Sequence, residues 1–388
     1  MPIDPLRRNK DPLSNIKRTQ RGEEEPEFEP PYSPSGARTY KPVFDVQESP
    51  LAWGEDSSLE RPWGPRREIN RTHPDSEFIY GTAVVEAAIK SGRREIYKLY
   101  IYAGANREPE TLVRDAKMKR LAKANRVNVV DEFDIGLLDS MANSRPHNGY
   151  VLECSPLHKT PILSLLPLTQ VGQHIPLELA QHDNTQPDLI LKTLAPSIPP
   201  ADTDRYPFIL MLDSVLDPGN LGAILRSAYF LGAAAVMFSG THSAPLSPVC
   251  LKASSGAAEF MPILTYKNPV RMIENSIANG WQFYAAVAPT PVTGPGKEPR
   301  REKSLRLESM EVKQAVFTKP TVVVLGAEGQ GMSTPVRKAC DKAVTIGQSR
   351  GMELGLDSLN VSVAAALLCQ GFLGRHFGKA NQNDDRLF

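Results

Sequence analysis

Cysteine, histidine and long apolar runs are all scarce in this 388-residue sequence. Its four cysteines lie far apart and form no CxxC pair, which argues against a disulfide framework or a thiolate zinc site and is typical of a reducing compartment. The seven histidines show no spacing typical of metal ligands, so we predict no bound metal. No apolar run approaches the ~20 residues of a membrane helix, and we therefore predict no membrane span.

Proline, in contrast, is abundant, with 34 residues beside an apolar fraction of 41%. Such a chain has enough apolar residues for two buried cores, and the prolines indicate extended segments between or beside them. We predict a disordered or extended region over residues 1–75, a linker or surface insertion over 157–206, a flexible insertion over about 289–320, and a tail over 378–388. The acidic stretch GEEEPEFEP at 22–30 is unlike a transit peptide.

A small α/β domain is predicted over residues 76–156, with a helix over 82–90 and a strand over 96–102. Between Lys90 and Arg126, eleven basic residues stand against four acidic ones. A solvated helix face explains such a run, and so does a surface that contacts a nucleic-acid backbone. Under the second explanation, the candidate RNA contacts are Arg93, Arg94, Lys98, Lys119 and Arg120.

Strands alternate with helices in the large domain, which we place at residues 207–377. This order predicts an α/β fold with a parallel sheet flanked by helices on both faces. The predicted strands are 208–212, 234–238, 261–265, 281–286, 321–325 and 343–346, and the predicted helices are 222–231, 249–258, 270–279 and 359–372.

The stretch DPGNLGAILRSA, residues 217–228, joins the first of these strands to a helix. Its glycines match neither GxGxxG nor GxxxxGK[ST], so a plain strand-to-helix turn is one interpretation. Asn220 and Arg226 favour a ligand contact, because the amide offers both a donor and an acceptor and the guanidinium has the reach to meet a phosphate.

Two further junctions are rich in small and polar residues, at 325–332 and 346–366. Ligands of doubly wound sheets bind where strands end and helices begin. Glycines around Glu328 let a ligand approach the backbone, and the glutamate favours a neutral or positively charged partner. Ser358 or Asn360 is a plausible cap of the last helix, but one cap does not need both residues.

Four stretches, LDSVLDPGNLGAILRSAYFLGAAAVMF, LKASSGAAEFMPI, VVVLGAEGQGM and LDSLNVSVAAALL, resemble in order the signature blocks of the SpoU-type SPOUT RNA 2′-O-ribose methyltransferases. The resemblance covers residues 207–375. The unit at 77–156, with YGTAVVEAAIKSGRREIYKLYI and RPHNGYVLECSPL, is similar to the family's L30e-like substrate-binding domain. Within the family, the arrangement is most similar to fungal mitochondrial members that methylate a guanosine ribose in large-subunit ribosomal RNA.

This resemblance implies a deep trefoil knot threaded around residues 346–360 and a homodimer through the first and last helices of the large domain. It also implies S-adenosylmethionine as cofactor, ribosomal RNA as substrate and a mitochondrial location. This sequence departs from the family pattern at two positions: Gly347 stands where the family usually has Pro, and Asn148 stands where it usually has Gln. The implied catalytic residues are Asn220, Arg226, Glu328, Ser358 and Asn360. The implied cofactor contacts are Leu325, Gly326, Glu328, Gly329, Ile346, Gln348 and Leu359, and the implied RNA contacts add His147, Asn220 and Arg226 to the basic residues above.

Arg226 is either the base that takes the hydroxyl proton or a group that stabilises the alkoxide and grips a phosphate. Two other functions stay open. One is a non-catalytic, knotted RNA-binding factor in ribosome assembly. The other is a nicotinamide enzyme with a degenerate nucleotide loop. The chain lacks GxGxxG, and this function would not explain the basic domain.

Overall fold

The computed structural model describes residues 69–104, 107–180, 204–289, 304–327, 329, 331–348 and 358–374, together with the backbone of 192–194. Most of the region predicted to be extended, residues 1–75, and the predicted tail therefore lie outside the described residues. Among the described helices, none combines the length and apolar character needed to cross a membrane.

The small domain is a four-stranded sheet covered by three helices, in the strand order β1-β4-β2-β3. Strands β2 and β3 are parallel, whereas β4 runs antiparallel to both of its neighbours. Helix α1 ends where Gly92 adopts φ 62°, a left-handed conformation that glycine adopts without strain. The elements are β1 (Glu77–Tyr80), α1 (Thr82–Ser91), β2 (Ile96–Tyr102), α2 (Pro109–Ala124), β3 (Asn128–Glu132), α3 (Ile135–Met141) and β4 (Tyr150–Cys154).

The large domain is built on a ten-stranded sheet in the order β12-β14-β11-β13-β8-β9-β10-β5-β6-β7. Every pair from β12 to β5 is parallel, which confirms the predicted parallel sheet, and only β6 and β7 add antiparallel pairs. The strands are β5 (Thr160–Leu165), β6 (Ile175–Leu179), β7 (Lys192–Leu194), β8 (Phe208–Leu212), β9 (Ala235–Ser239), β10 (Ile263–Tyr266), β11 (Gln282–Ala286), β12 (Ser304–Arg306), β13 (Thr321–Leu325) and β14 (Lys342–Thr345).

Helices cover both faces of this sheet, and its central strands are therefore buried on both sides. Apolar side chains of α4, α8 and α10 belong to the core on one face, and those of α7 and α9 belong to the core on the other. The helices are α4 (Pro218–Leu231), α5 (Pro248–Ala253), α6 (Ala257–Phe260), α7 (Pro269–Ala278), α8 (Met310–Thr318), α9 (Thr334–Ala339) and α10 (Val361–Leu373).

The predicted linker over 157–206 is wrong where the structure describes it, because β5, β6 and β7 extend the large sheet instead. Leu165 and Ile175 are fully buried against the core that contains α7. The indole Nε1 of Trp281 donates to the carbonyl oxygen of Leu166 at 3.0 Å. The prolines hid these strands, since proline is tolerated at sheet edges but disrupts an alternating pattern.

Two more predictions fail in part. The flexible insertion at 289–320 contains β12 and α8, with Val312 and Val316 fully buried, while residues 290–303 lie outside the described residues. The single helix predicted over 249–258 is two helices, α5 and α6. It breaks at Ser255 and Gly256, whose φ angles of 51° and 89° are incompatible with a continuous helix.

Candidate functional site

Helix α4 begins four residues earlier than predicted, at Pro218, so the stretch read as a loop is the first turn of the helix. Asp217 caps it, because its Oδ2 accepts a hydrogen bond from the backbone N–H of Asn220 at 2.6 Å. Gly222 serves packing: a Cβ there would lie 2.6 Å from the Cβ of Ala253 and would collide with a backbone carbonyl of α5. The helix thus places Asn220 in its first turn and Arg226 roughly 9 Å further along its axis.

Asn220 and Asn360 are 140 residues apart in sequence and in contact in the structure. The Nδ2 of Asn360 donates to the Oδ1 of Asn220 at 3.1 Å. At the same time the Oδ1 of Asn360 accepts from the backbone N–H of Ser362 at 2.9 Å and so caps α10. The side chain of Asn360 therefore caps α10 and also joins the start of α10 to the start of α4, so capping is only one of its two roles.

A cavity of about 510 Å³ opens at the carboxyl ends of β11, β13 and β14. Its size lies within the usual range for small-molecule sites. Six of the predicted cofactor contacts line it, while the seventh, Glu328, lies outside the described residues. These six are Leu325, Gly326, Gly329, Ile346, Gln348 and Leu359. Ser358 also lines the cavity, and because Asn360 follows two residues later, the cavity and the paired asparagines are adjacent along the chain.

The predicted cofactor contacts omit part of this cavity, including the segment 286–289 after β11 and three residues of α10, which are Val361, Ala364 and Leu368. The signal for 286–289 was available, since these residues directly follow a buried strand of the parallel sheet. The α10 residues read as ordinary core positions of an apolar helix, and nothing in the pattern distinguishes them.

The loop after β13 is held tightly against itself. The backbones of Ala327 and Gly331 exchange two hydrogen bonds, with N···O distances of 3.1 and 2.9 Å. A Cβ on Gly326 would lie 2.5 Å from the Cα of Met332, so only glycine permits this approach.

Asp213, at the end of β8, ties this loop to the neighbouring strand. Its Oδ2 accepts from the backbone N–H and the hydroxyl of Ser333, both at 3.1 Å. Beside it, the hydroxyl of Tyr266 donates to the carbonyl oxygen of Leu212 at 2.8 Å, and burial, together with the nearby Asp213, raises the pKa of Tyr266 well above its usual range. Two hydrogen bonds to Asp213 therefore anchor the loop at the end of β8.

Arg226 does not line the cavity; its side chain is exposed on α4. Within the described residues, no group of three or more histidine, cysteine, aspartate or glutamate side chains is placed to hold a metal ion.

The predicted RNA contacts separate into two groups. Lys119 and Arg120 lie on α2, where Arg120 is exposed and Lys119 pairs with Asp131 at 2.6 Å, and Lys98 is half-buried on β2. Arg94 is wrong as an RNA contact, because its side chain is fully buried in an ion pair with Glu259 of the large domain. Arg93 also faces that domain and donates to the carbonyl oxygen of Met261 at 2.8 Å.

His147 is buried, with Nε2 3.1 Å from Asp139 and Nδ1 accepting from the backbone N–H of Gly149 at 3.0 Å. It lines a second cavity, of about 540 Å³, together with Arg107 and Arg145. His147 thus shapes the wall of a cavity on the small domain rather than projecting from the surface.

Comparison with known proteins gives matches over both domains. A family model described as "SpoU rRNA Methylase family" matches residues 207–370, and one described as "RNA 2'-O ribose methyltransferase substrate binding" matches residues 78–160. The chain is 33% identical over 296 residues to rRNA methyltransferase 1, mitochondrial, of Schizosaccharomyces pombe, covering 76% of this chain and 88% of the relative.

It is also 32% identical over 294 residues to the 23S rRNA (guanosine-2'-O-)-methyltransferase RlmB of Pseudomonas putida, covering 75% of this chain and 93% of the relative. Among solved structures, an AdoMet-bound rRNA methyltransferase from Sinorhizobium meliloti matches with a TM-score of 0.52 at 18% identity, over 77% of this chain and 87% of that one. At that identity the match shows a shared fold.

Proposed function

The chain belongs to the SpoU rRNA methylase family, and from this premise we propose that it transfers a methyl group from S-adenosylmethionine to the 2′-hydroxyl of a guanosine ribose in large-subunit ribosomal RNA. One observation carries the proposal: a cavity of cofactor size adjoins the paired amides of Asn220 and Asn360. A methyl donor and an acceptor ribose need two such neighbouring sites.

The cavity fits the cofactor. Its walls are largely apolar, with Leu325, Ile346 and Leu359 available to pack on an adenosine. Gly326 and Gly329 expose the backbone, which offers hydrogen bonds to polar edges. S-adenosylmethionine supplies a methyl group on a sulfonium, which is electrophilic without help from the protein. We propose that these five residues and Gln348 hold it, and that Glu328 orders the loop.

The residues around the paired asparagines would then bind the RNA. Asn220 and Asn360 hold the ribose, and Ser358 hydrogen-bonds beside it from the rim of the cavity. Arg226, exposed on α4, grips the neighbouring phosphate and stabilises the alkoxide that develops as the 2′-hydroxyl passes its proton to solvent water. We assign it this role rather than that of the base, because a guanidinium does not give up its proton under physiological conditions.

The small domain would anchor the RNA away from the reacting ribose. Arg120, Lys119 and Lys98 are candidates for backbone phosphates, since Lys and Arg supply the sequence-independent part of the affinity. His147 would act through the cavity wall that it holds in shape, with Arg145 exposed at the same cavity.

We further propose that the protein forms a homodimer through α4 and α10. These helices expose apolar side chains, with Phe230 86% and Val363 47% exposed. Isolated apolar residues are common on surfaces, but a group on two packed helices marks an interaction site. The trefoil knot around 346–360 and the mitochondrial location are also proposals. The first rests on family membership, because residues 349–357 lie outside the described residues, and the second on relatives named mitochondrial.

The alternative of a non-catalytic assembly factor gains no support, since the relatives reported above are named methyltransferases. The deciding experiment incubates the full chain with labelled S-adenosylmethionine and large-subunit ribosomal RNA, and then maps ribose methylation nucleotide by nucleotide. We expect one methylated guanosine, lost with Arg226→Ala while cofactor binding persists. RNA binding without any methylation would favour the assembly factor. Loss of cofactor binding with Arg226→Ala would show that this residue is misplaced in our scheme.

A further inference from the structure

The small and large domains share one hydrophobic core. Buried side chains of α1, such as Val84 and Ala88, belong to the same cluster as Ala258 and Met261 of the large domain. Helix α1 packs on α6, and β1 packs on α5. A flexible tether between domains leaves each with its own core, so the described part of this chain has the construction of a single packed unit.

Gly256 allows α1 and α6 to approach closely. Its φ is 89°, and a Cβ at this position would lie 2.6 Å from the Cβ of Ala87 and 2.8 Å from the carbonyl oxygen of Ala83. Both distances are shorter than van der Waals contact, so any side chain larger than hydrogen would push the small domain away.

A buried ion pair fixes the direction of this contact. The Nη2 of Arg94 lies 2.8 Å from the Oε1 of Glu259, and the Nε of Arg94 donates to Oε2 at 2.9 Å. Both side chains are fully buried. The other Nη of Arg94 donates to the carbonyl oxygen of Ser155 at 2.9 Å, and Arg93 donates to that of Met261 at 2.8 Å. A planar guanidinium held by both oxygens of a carboxylate defines orientation as well as distance.

The contact continues towards the candidate site. Helices α5 and α6 are consecutive, and α5 packs on α4, where Gly222 lies against α5 without room for a Cβ. Helix α4 carries Asn220 and Arg226, the proposed ribose and phosphate contacts. A rigid series of contacts therefore runs from α1 through α6 and α5 to the helix that would hold the reacting nucleotide.

We propose that Arg94, Glu259 and Gly256 are positioning residues, which hold the small domain at one fixed distance from α4. The enzyme then selects RNA in which the distance between the element bound by the small domain and the target ribose equals the distance between the small domain and α4. This inference rests on the proposed function, because it specifies how the rRNA substrate is selected.

The test compares Gly256→Ala with Gly280→Ala in the full chain. Gly280 has nearly the same φ, 90°, but a Cβ there would meet nothing within 4 Å, so it carries the same backbone strain without the collision. Spin labels at Arg114→Cys and Lys319→Cys, one exposed residue in each domain, report the distance between the domains when the labelled chain is diluted with excess unlabelled chain, so that each proposed homodimer carries labels on one protomer. We expect one narrow distance distribution for the parent chain and for Gly280→Ala, and a shifted or broadened one for Gly256→Ala.

In kinetics with large-subunit ribosomal RNA, Gly256→Ala should lower kcat/KM at least tenfold relative to Gly280→Ala, with the dissociation constant of S-adenosylmethionine within twofold. Arg94→Lys, which keeps the charge but loses the two-pronged contact, should give a smaller change in the same direction and covers the case in which Gly256→Ala fails to fold.

A broad label-distance distribution in the parent chain would overturn the fixed docking, and unchanged distances in Gly256→Ala and Arg94→Lys would overturn the positioning role of these residues. A changed distance with unchanged kcat/KM would overturn its role in substrate selection. If the parent chain methylates no ribosomal RNA, the proposed function fails, while the label distances still decide whether the domains are rigidly docked.

Discussion

Gly326→Ala is the sharpest probe of the cavity, because it adds one methyl group at a point where two backbone segments touch. The new Cβ would lie 2.5 Å from the Cα of Met332, whereas carbon atoms in contact stand about 3.5–4.0 Å apart. The loop after β13 must therefore move by about 1 Å. A misplacement of this size costs on the order of 10²-fold in rate when it displaces bound reactants.

We accordingly expect Gly326→Ala to weaken S-adenosylmethionine binding at least tenfold and to lower kcat/KM about 10²-fold. Titration calorimetry and steady-state methylation measure the two effects. Gly280→Ala is the control outside the cavity, because a Cβ there would meet nothing within 4 Å, although its φ of 90° makes alanine strained. If the two variants bind the cofactor equally well, the loop is not packed against the ligand as we argue, and the cavity is not the cofactor site.

Three further predictions test other parts of the structure. Asn360→Asp keeps the oxygen that caps α10 but loses the amide that donates to Asn220. The free energy of unfolding should therefore change by less than about 1 kcal/mol, while the rate of methylation falls at least tenfold. A large loss of stability together with the loss of methylation would show that Asn360 acts only as a helix cap. Glu259→Ala removes the bidentate partner of the buried Arg94 and leaves Glu77, 3.5 Å away, as its carboxylate partner, so it should lower the free energy of unfolding by about 3 kcal/mol in denaturant titration, whereas a change below about 1 kcal/mol would show that water or Glu77 compensates for the lost pair. Burial raises the thiol pKa to about 12 in all four cysteines, which are Cys154, Cys250, Cys340 and Cys369. At pH 8 iodoacetamide should therefore modify the native protein far more slowly than the unfolded chain, and rapid labelling of the native protein would contradict the burial.

The strands β2, β8 and β13 were predictable to the residue. β8 and β13 are runs of mostly apolar residues buried on both faces of the sheet, and β2 is rich in aromatic and β-branched residues. The start of α4 was missed for a local reason. The glycines at 219 and 222 suggested a loop, although Asp217 followed by Pro218 is a strong helix-start signal.

Other features depended on tertiary contacts that no local pattern carries. The strands β5–β7 form by pairing onto the edge of the sheet at β10, whereas their own sequence is typical of a proline-rich linker. Arg94 belongs to a basic run, and a count of charges cannot tell that it faces Glu259, 165 residues away. The candidate site shows the same limit, because Asn220 and Asn360 were each identified separately, while their contact required the fold.

The glycines of this chain show why motif reading and packing must be separated. Gly222 and Gly256 stand in conspicuous motifs, yet in the structure each fills a position where two helices leave no space for a Cβ. Gly326 is constrained in the same way by the backbone of its own loop, but it also lines the cavity. The same lack of a side chain therefore serves helix docking at Gly222 and Gly256, and proposed ligand access at Gly326. Because α5 connects α6 to α4, we expect a change in docking at Gly256 to reach Asn220, so that the small domain contributes to the geometry of the proposed site as well as to the proposed binding of RNA.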